Sequence, residues 1–263
     1  AGHTIEMLKL GAEVMGIEVF PEALERAEKR ISDLGFSQNF TPVQGNFKDL
    51  EQLAQEHGFD QVNGILFDLG FSSYELEHAG IGLTFQEDEP LDMRMDPSLG
   101  VTAADLLNSL GEIQLTDIIS EYGGERLANK FAREIIKIRK LKKFQTTQQL
   151  VEVLESAAPS GYEKGRIHPA TRTFQALRIA VNDEIENLIK ALPQAAHLLL
   201  PGGRMIVISF HSLEDRAAKK FGRSLVQPPS ANNYTLVELT EKPIVPSQKE
   251  IEDNIRSRSA KMR

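Results

Sequence analysis

Three short apolar runs near the start of the chain predict the strands of a sheet. They are Ala12–Phe20, Phe40–Gln44 and Gly64–Asp68, and each has the length of a strand. After the first run, Pro21 opens an amphipathic stretch that covers Glu22–Leu34, and proline favours the first position of a helix. Strand, helix and strand at this spacing are typical of parallel βαβ units, so this part of the chain is predicted to be α/β.

The middle of the chain follows a different pattern, because its apolar residues recur with helical spacing from Thr102, a predicted N-cap, to about Leu154. Helical spacing returns at Arg172–Leu192, and a Pro-Gly-Gly turn then leads into a strongly apolar strand, Arg204–Phe210. The chain is therefore predicted to be one α/β domain with a helical insertion. The predicted boundaries are 1–97 for the first part of the α/β domain, 98–175 for the insertion, and 176–263 for the second part with a basic tail.

Composition restricts the chemistry that the chain can carry. The 263 residues include no Cys, which excludes disulfides and thiolate metal sites. No apolar run is long enough to span a bilayer and no signal-peptide pattern opens the chain, so a reducing cytoplasm is the expected compartment.

Charge gives two opposing indications about partners. The net charge of −8 by itself argues mildly against a nucleic-acid partner. Basic residues nevertheless cluster in three short segments, Ile136–Lys143, Asp215–Arg223 and Ile255–Arg263. Each cluster either contacts nucleic acid or forms an ordinary solvated surface, and the sequence favours neither interpretation.

Candidate chemistry lies where the predicted strands end, because an open parallel sheet binds its ligands at the carboxyl ends of its strands. Glu18 is placed to accept hydrogen bonds from a ribose diol, or else is a surface acid. Asp68 either faces a polar ligand or caps the next helix. His211 follows the last predicted strand. Small residues after Asp68 would let a ligand approach the backbone closely: Gly70, Ser72 and Ser73.

Further candidates surround the helical segment. Asp92, Arg94 and Asp96 either form a structural salt-bridge cluster or line a substrate pocket. Arg172 stands on a helix face that could meet phosphates or pair with those acids. His168 precedes Pro169 in an extended segment, where a lone histidine is more often structural than catalytic. The sequence contains no histidine array or carboxylate triad that would predict a catalytic metal site.

Taken together, these segments resemble the RsmH (MraW) family of S-adenosylmethionine-dependent methyltransferases, which act on N4 of a cytosine in 16S ribosomal RNA. The resemblance implies a Rossmann-like methyltransferase domain with an inserted helical domain that recognises RNA, and a protein that is a monomer or homodimer. The motifs that carry it follow the family order and cover nearly the whole chain: GHT, FDLGFSS, PLDMRMDP, IHPATRTFQALRIAVNDE, PGGRMIVISFHSLEDR and SRSAKMR.

The resemblance also implies roles for individual residues. The expected catalytic group, which orients the cytosine amine, is Asp68, Leu69 and Gly70. The expected S-adenosylmethionine-binding residues are Ala1, Gly2, His3, Glu18, Phe47, Asp68 and Glu75. With the residues chosen above, the predicted substrate-binding set is Phe71, Ser72, Ser73, Asp92, Arg94, Asp96, His168, Arg172, His211 and Arg258.

Three positions depart from the family pattern. Glu18 stands where the family usually has Asp, Glu75 where it usually has Gln, and Phe71 where it has a smaller residue. Phe71 either stacks on the target base or packs under its loop. Ala1-Gly2-His3 resembles only the end of the family's glycine-rich loop, so a strand and the first part of that loop are expected to precede residue 1.

Direct methyl transfer to an amine needs positioning and electrostatics rather than a covalent intermediate, which agrees with the absence of Cys. The target base must also be held out of its stack. Two other functions stay open: a methyltransferase with another nucleic acid or a protein as substrate, and a non-catalytic RNA-binding assembly factor. A nicotinamide-dependent dehydrogenase fits poorly, because hydride transfer does not explain the Asp-Leu-Gly loop or the basic tail.

Overall fold

The computed structural model describes residues 1–70, 79–225 and 236–263. Two compact units share these residues, and each has its own core. The first unit consists of Ala1–Gly70 and Ile185–Arg263, and the second consists of Phe71–Glu184. Along the chain, the second unit is therefore inserted between the two parts of the first.

The first unit, called the α/β unit here, alternates strands and helices. The mixture of helices with parallel strands confirms the predicted Rossmann-like α/β class. Its described elements are α1 (Gly2–Lys9), β1 (Val14–Glu18), α2 (Pro21–Asp33), β2 (Phe40–Gln44), α3 (Leu50–Glu56), β3 (Val62–Asp68), α9 (Glu184–Leu198), β4 (Leu199–Ser209), α10 (Ser212–Leu225), α11 (Gln248–Asp253) and β5 (Lys261–Met262).

The described strands of this unit form two sheets. β1 pairs in parallel with β2, and β3 pairs in parallel with β4, whose other edge takes the short antiparallel strand β5. The β1–β2 pair, with α2 between its strands, confirms the predicted parallel βαβ arrangement for the first two runs. Each pair ends in register, with Glu18 opposite Gln44 and Asp68 opposite Ile208. The candidate acids Glu18 and Asp68 therefore both stand at the carboxyl end of a strand, as predicted.

Two strand predictions differ from the structure in their details. The Pro-Gly-Gly segment does not precede β4 but lies inside it, where the register jumps from the Val62–Leu199 pair to the Gly64–Arg204 pair. Gly202 adopts a φ of +82° in this bulge, a conformation that favours glycine. An apolar run such as Gly64–Phe67 favours a buried strand, but only Phe67 of β3 is buried, because β3 lies at the edge of its sheet.

Helices cover this sheet and form the core of the α/β unit. Phe67 and Val207 of the sheet are buried against three helices. The helical contribution comes from residues that repeat on one face of each helix: Leu50 and Ala54 of α3, Leu188, Leu192 and Ala195 of α9, and Ala218 of α10. Because these side chains are largely removed from water, they form a packed core that supports the carboxyl end of β3.

The second unit, called the helical unit here, contains α4 (Ala103–Ser109), α5 (Glu112–Glu121), α6 (Ala128–Arg139), α7 (Thr147–Ala157) and α8 (Pro169–Asn182). The predicted cap is confirmed, because Thr102 and Asp105 form a reciprocal capping box at the start of α4. The stretch predicted as one helix, Arg172–Leu192, is divided between α8 and α9. Asp183, with a φ of +49°, separates them.

The boundaries of the helical unit correct those predicted from the sequence. The unit begins well before residue 98 and extends beyond residue 175. Leu91 and Met93, which precede the predicted boundary, are buried in the same core as the helices, and so are Leu177 and Val181 of α8. Packing of irregular chain against helices, rather than the start of helical periodicity, therefore sets the boundary. Among the described residues, no helix combines the length and apolar character needed to cross a bilayer.

Candidate active site at the carboxyl ends of the strands

Asp68 ends β3 and forms a specific contact with His3, near the start of α1. The Nδ1 atom of His3 lies 3.1 Å from Oδ2 of Asp68. The side chains of His3 and Asp68 are 56% and 49% exposed, respectively, so a ligand in solution can reach the pair. A histidine that shares a proton with one carboxylate oxygen restricts the rotation of that carboxylate, which leaves the second oxygen in a defined place.

The backbone directly after Asp68 is described for Leu69 and Gly70. Leu69 is buried and donates its N–H to the carbonyl of Ile208 over 3.1 Å, which extends the β3–β4 pairing by one residue. Gly70 then adopts a φ of +93°, where a side chain would be strained, and a Cβ added at this position would lie 3.7 Å from the ring of Phe210. Pairing with β4 therefore fixes the backbone of Asp68 and Leu69, whereas Gly70 adopts a conformation that ends this pairing.

Glu18 and Phe47 belong to the same edge of the α/β unit as Asp68. The carbonyl of Glu18 accepts the N–H of Gly45 over 3.0 Å, two residues before Phe47. The ring of Phe47 meets that of Phe67 edge to face at a centroid distance of 6.0 Å, and Asp68 follows Phe67 directly. Of the four predicted cofactor-binding residues here, Asp68 and His3 contact each other directly, whereas Glu18 and Phe47 contact sequence neighbours of the others, Gly45 and Phe67.

The carboxylate of Glu18 is itself held in place. Its Oε1 atom accepts the backbone N–H of Phe20 over 3.0 Å, immediately before α2 begins at Pro21. This contact holds the side chain beside the turn that follows β1. Ala1 and Gly2 stand at the start of α1, with Ala1 at the N-cap position.

His211 stands at the end of β4, where it caps α10 together with a residue that the sequence analysis did not select. Glu214 is 3% exposed, and its Oε2 atom accepts the N–H groups of Phe210 and His211 over 2.7 and 3.2 Å. Oε1 of Glu214 lies 3.2 Å from Nε2 of His211. An acid three residues after an N-cap is the sequence pattern of a capping box, which could have identified Glu214.

Asp92 and Arg94 of the helical unit form a closed ion pair. The guanidinium donates to both carboxylate oxygens over 2.7 and 2.8 Å, and it also donates to the carbonyl of Leu99 over 2.7 Å. The hydrogen bond from Arg94 lowers the pKa of Asp92 below its usual value. Asp96 accepts the N–H of Ser98 over 2.8 Å, as in an ordinary turn. Of the two interpretations left open above, this geometry matches the structural cluster.

Asn182, at the end of α8, holds this loop and was missed by the sequence analysis. Its side-chain amide donates to the carbonyl of Met93 over 2.8 Å and accepts the N–H of Met95 over 2.8 Å. Met93 is fully buried and has a φ of +63°, which is strained for a residue other than glycine. A short polar side chain beside the helix end was the only available signal, because the partners lie far away in sequence.

Arg172 belongs to a half-buried ion-pair network in the helical unit. Its guanidinium donates to Glu163 over 2.7 Å and lies 3.8 Å from Glu125, whose side chain is fully buried. Tyr162 donates its hydroxyl to the same Glu125 carboxylate. Burial, together with this hydrogen bond and the Glu125 charge, raises the pKa of Tyr162 to about 12. The predicted pairing of Arg172 with Asp92 or Asp96 does not occur.

His168 caps α8. Its Nδ1 atom accepts the N–H of Ala170 over 3.2 Å, its Nε2 atom lies 3.0 Å from Glu155, and its ring stacks on Phe85 at a centroid distance of 4.9 Å. These contacts agree with the structural interpretation of a lone histidine before proline. His168 therefore positions the start of the helix that carries Arg172.

The basic C-terminal tail divides into two parts. Arg256 and Arg258 are exposed, whereas the last residues pack on the α/β unit. Lys261 and Arg263 lie 3.4 and 2.6 Å from Asp215 of α10, and β5 pairs with β4. Burial acts to raise the pKa of Asp215, but its hydrogen bond to Arg263 and both nearby positive charges outweigh burial and lower it. The end of the tail is thus held by Asp215, an acid of its own unit.

Several predicted residues lie outside the described part of the chain. They belong to the segment 71–78 that follows Gly70: Phe71, Ser72, Ser73 and Glu75. Their roles as base-stacking, substrate-binding and cofactor-binding residues stay predictions.

Comparisons with known proteins find relatives that align with the whole chain. A curated relative from Deinococcus deserti is 48% identical over 265 residues, which cover the whole chain and 82% of that protein. Relatives from Deinococcus radiodurans and Carboxydothermus hydrogenoformans are 46% and 43% identical, again over the whole chain and over 79% and 87% of their own lengths. All three are named ribosomal RNA small subunit methyltransferase H.

A family model describes the same relationship over the full length. The model of the MraW methylase family matches residues 1–263, so it includes both the strand-end site and the helical unit. Since the match extends over both compact units, it does not depend on a shared motif or a common fold class alone. The chain therefore belongs to the MraW methylase family.

Proposed function

We propose that the protein transfers the methyl group of S-adenosylmethionine to N4 of a cytosine in 16S ribosomal RNA of the small ribosomal subunit. The observation that carries this proposal is the pair of His3 and Asp68 at the end of β3, directly before the Leu69-Gly70 turn. Membership of a methylase family supports the reaction type. The names of the relatives support ribosomal RNA of the small subunit as the substrate.

The residues along this edge fit S-adenosylmethionine chemically. Glu18 ends β1, Asp68 ends β3, and the ring of Phe47 packs on Phe67 directly before Asp68, so negative charge accompanies an apolar surface. Negative charge suits a cationic donor, a carboxylate at a strand end suits ribose hydroxyl groups, and a half-buried ring suits adenine. Glu18 would bind the ribose, and Phe47 would pack near the adenine.

S-adenosylmethionine would supply a methyl group on a positively charged sulfur. The exocyclic amine of cytosine is a weak nucleophile, because its lone pair is delocalised into the ring. A carboxylate oxygen of Asp68 that accepts an N4–H hydrogen bond raises the electron density on that nitrogen and directs its lone pair along the line of transfer. His3, hydrogen-bonded to Oδ2, would keep Oδ1 available for the amine. Backbone groups of Leu69 and Gly70 would complete the positioning.

The helical unit would recognise the RNA, while the α/β unit would bind the donor and carry the transfer. A cytosine has to leave its stack to reach a positioned carboxylate, so the substrate would be an unpaired or extruded nucleotide. We place the reaction in the cytoplasm, as a step of ribosomal RNA processing during ribosome biogenesis.

The test is methyl transfer from labelled S-adenosylmethionine to small ribosomal particles that lack the modification, with identification of the product nucleoside. Wild-type protein should yield N4-methylated cytidine. Asp68→Asn keeps the shape of the side chain but removes the charge, and should reduce transfer by at least about 100-fold, as typical for a positioned catalytic hydrogen-bonding group. Asp60→Asn, an exposed acid before the opposite end of β3, is the matched control and should retain activity.

The same experiment separates the competing functions. Near-normal turnover by Asp68→Asn would remove Asp68 from the reaction. Label in DNA or protein but not in RNA would indicate another methyltransferase substrate. RNA binding without transfer by the wild-type protein, although S-adenosylmethionine binds, would favour an assembly factor over an enzyme.

A further inference from the structure

The helical unit contains a cleft that the proposed transfer reaction does not use. It has a volume of about 510 Å³ and lies between α6 and α7, and we call it the α6–α7 cleft. Its volume falls within the range of pockets that bind small ligands. Its lining combines apolar residues, Ile138, Phe144 and Val153, with polar residues at the rim.

The rim of the α6–α7 cleft carries three unneutralised positive charges. Lys130 of α6 and Lys142 and Lys143 of the following link line the cleft. None of these three ammonium groups makes a hydrogen bond or an ion pair with any residue in the described part of the chain. An ammonium without a partner beside a cleft is available to neutralise an anionic ligand.

The two acids in the lining offset these charges only in part, because the lysines around the cleft outnumber them. Glu134 already binds Lys137 at 3.1 Å, and Glu152 accepts a hydrogen bond from Gln148 over 3.3 Å. Each acid is thus oriented by a neighbour on its own helix, whereas the lysines are not. Lys140, exposed just beyond α6, extends the positive surface.

Arg139 belongs to the same basic segment of the sequence but has a different task. Its guanidinium donates to the carbonyls of Leu107 and Leu110 over 2.7 and 2.5 Å, so it caps the end of α4. The basic cluster at Ile136–Lys143 therefore contains one structural arginine and several unpaired lysines. Only the lysines can contribute to binding.

The geometry points to the α6–α7 cleft as a binding site for one nucleotide of single-stranded RNA. The lysines would neutralise the flanking phosphates, and the unpaired base would rest on the apolar lining. The hydroxyl of Ser156 and the side-chain N–H groups of Gln149, which also line the cleft, offer hydrogen bonds to the edge of a base, whereas Oε1 of Gln149 already accepts the N–H of Gln145 over 2.8 Å. Duplex RNA would not fit, because its bases are paired and stacked and only splayed bases can enter such a pocket. This inference rests on the proposed function, because it assumes that the RNA whose cytosine meets Asp68 also contacts the α6–α7 cleft.

The first test removes the charges. Lys130, Lys142 and Lys143 are replaced together by Gln, and binding to a short single-stranded RNA oligonucleotide is measured over a range of salt concentrations. Each phosphate that is no longer neutralised reduces the slope of log affinity against log salt by about 0.7, so loss of both flanking phosphates should lower the slope by about 1.4. Affinity at low salt should drop by at least about tenfold. The control replaces Lys29, Lys242 and Lys249, exposed lysines of the α/β unit, by Gln.

The second test fills the cleft without changing charge. Ser156 is exposed on α7, so Ser156→Trp should fold normally, which circular dichroism can verify. It should weaken binding of the single-stranded oligonucleotide several-fold at an unchanged salt slope. Its affinity for the same oligonucleotide annealed to a complement should equal that of the wild type. The inference is overturned if Ser156→Trp binds single strands normally, or if the lysine and control triple variants lose equal affinity.

These results are distinguishable from failure of the proposed function. If wild-type protein methylates ribosomal particles but the lysine variant binds RNA normally, the cleft has no role in RNA binding and the enzyme assignment stands. If the lysine and Ser156 variants bind weakly but wild-type protein transfers no methyl group to RNA, the cleft is an RNA site and the enzyme assignment fails.

Discussion

Replacing Asn182 tests whether one buried amide holds the loop that contains Met93. Asn182 is 9% exposed, and it satisfies the carbonyl of Met93 and the N–H of Met95. Leucine has a similar volume but no hydrogen-bonding atoms, so Asn182→Leu leaves two backbone groups without their partner and creates no large cavity. The third hydrogen bond, to the carbonyl of Arg178, lies within α8 and is less costly to lose.

The expected loss of stability follows from these contacts. An unsatisfied buried polar group costs about 1–3 kcal/mol, and Met95 is only half-buried, so the two groups together should cost about 2–4 kcal/mol. The left-handed conformation of Met93 adds about 1–2 kcal/mol of strain, which the surrounding contacts must overcome. Once Asn182 is lost, relaxation of the loop is a way to relieve that strain.

Urea unfolding measures this loss as the change in free energy of unfolding, provided that the dependence on urea stays constant. Asn129→Leu, on the exposed face of α6, is the matched control and should change stability by less than about 0.5 kcal/mol. If Asn182→Leu unfolds within about 0.5 kcal/mol of the wild type, the amide does not hold the loop. Equal losses in both variants would instead indicate a general effect of added leucine.

Two further predictions concern titratable groups. The pKa of Tyr162 is raised from 10.0 to about 12. The difference in free energy of unfolding between wild type and Tyr162→Phe should therefore be constant below pH 10 and should shrink as the pH rises towards 12. A difference that does not change with pH across this range would contradict the Glu125 contact. Asp215→Asn should raise the rate of amide hydrogen exchange at Met262 and Arg263 by about 10-fold or more, because the segment that contains β5 loses its ion pairs. The exposed control Asp253→Asn should leave this rate unchanged. Since the pKa of Asp215 is lowered, its contribution to the stability of the β5 segment should be present above pH 3.8 and should disappear as the pH falls further. Protection of these amides from exchange that persists at low pH would refute the role of the Asp215 charge.

Local patterns in the sequence determined much of the α/β unit. Apolar runs with β-branched residues located β1, β2 and β3, because strand formation needs only short stretches of suitable side chains. Pro21 and Thr102 located the starts of α2 and α4, since helix caps depend on neighbouring backbone groups. The position of Asp68 at a strand end, and hence the edge where a ligand would bind, also followed from sequence alone.

Only the tertiary structure decided which charged residues are already engaged. The sequence placed Arg94, Arg139 and Arg172 among groups available for RNA, but each forms close contacts within the helical unit. It could not identify Asn182 as a support for Met93, because their hydrogen bond spans a large separation along the chain. Periodicity and capping are local properties, whereas the partner of a polar side chain depends on how distant segments pack.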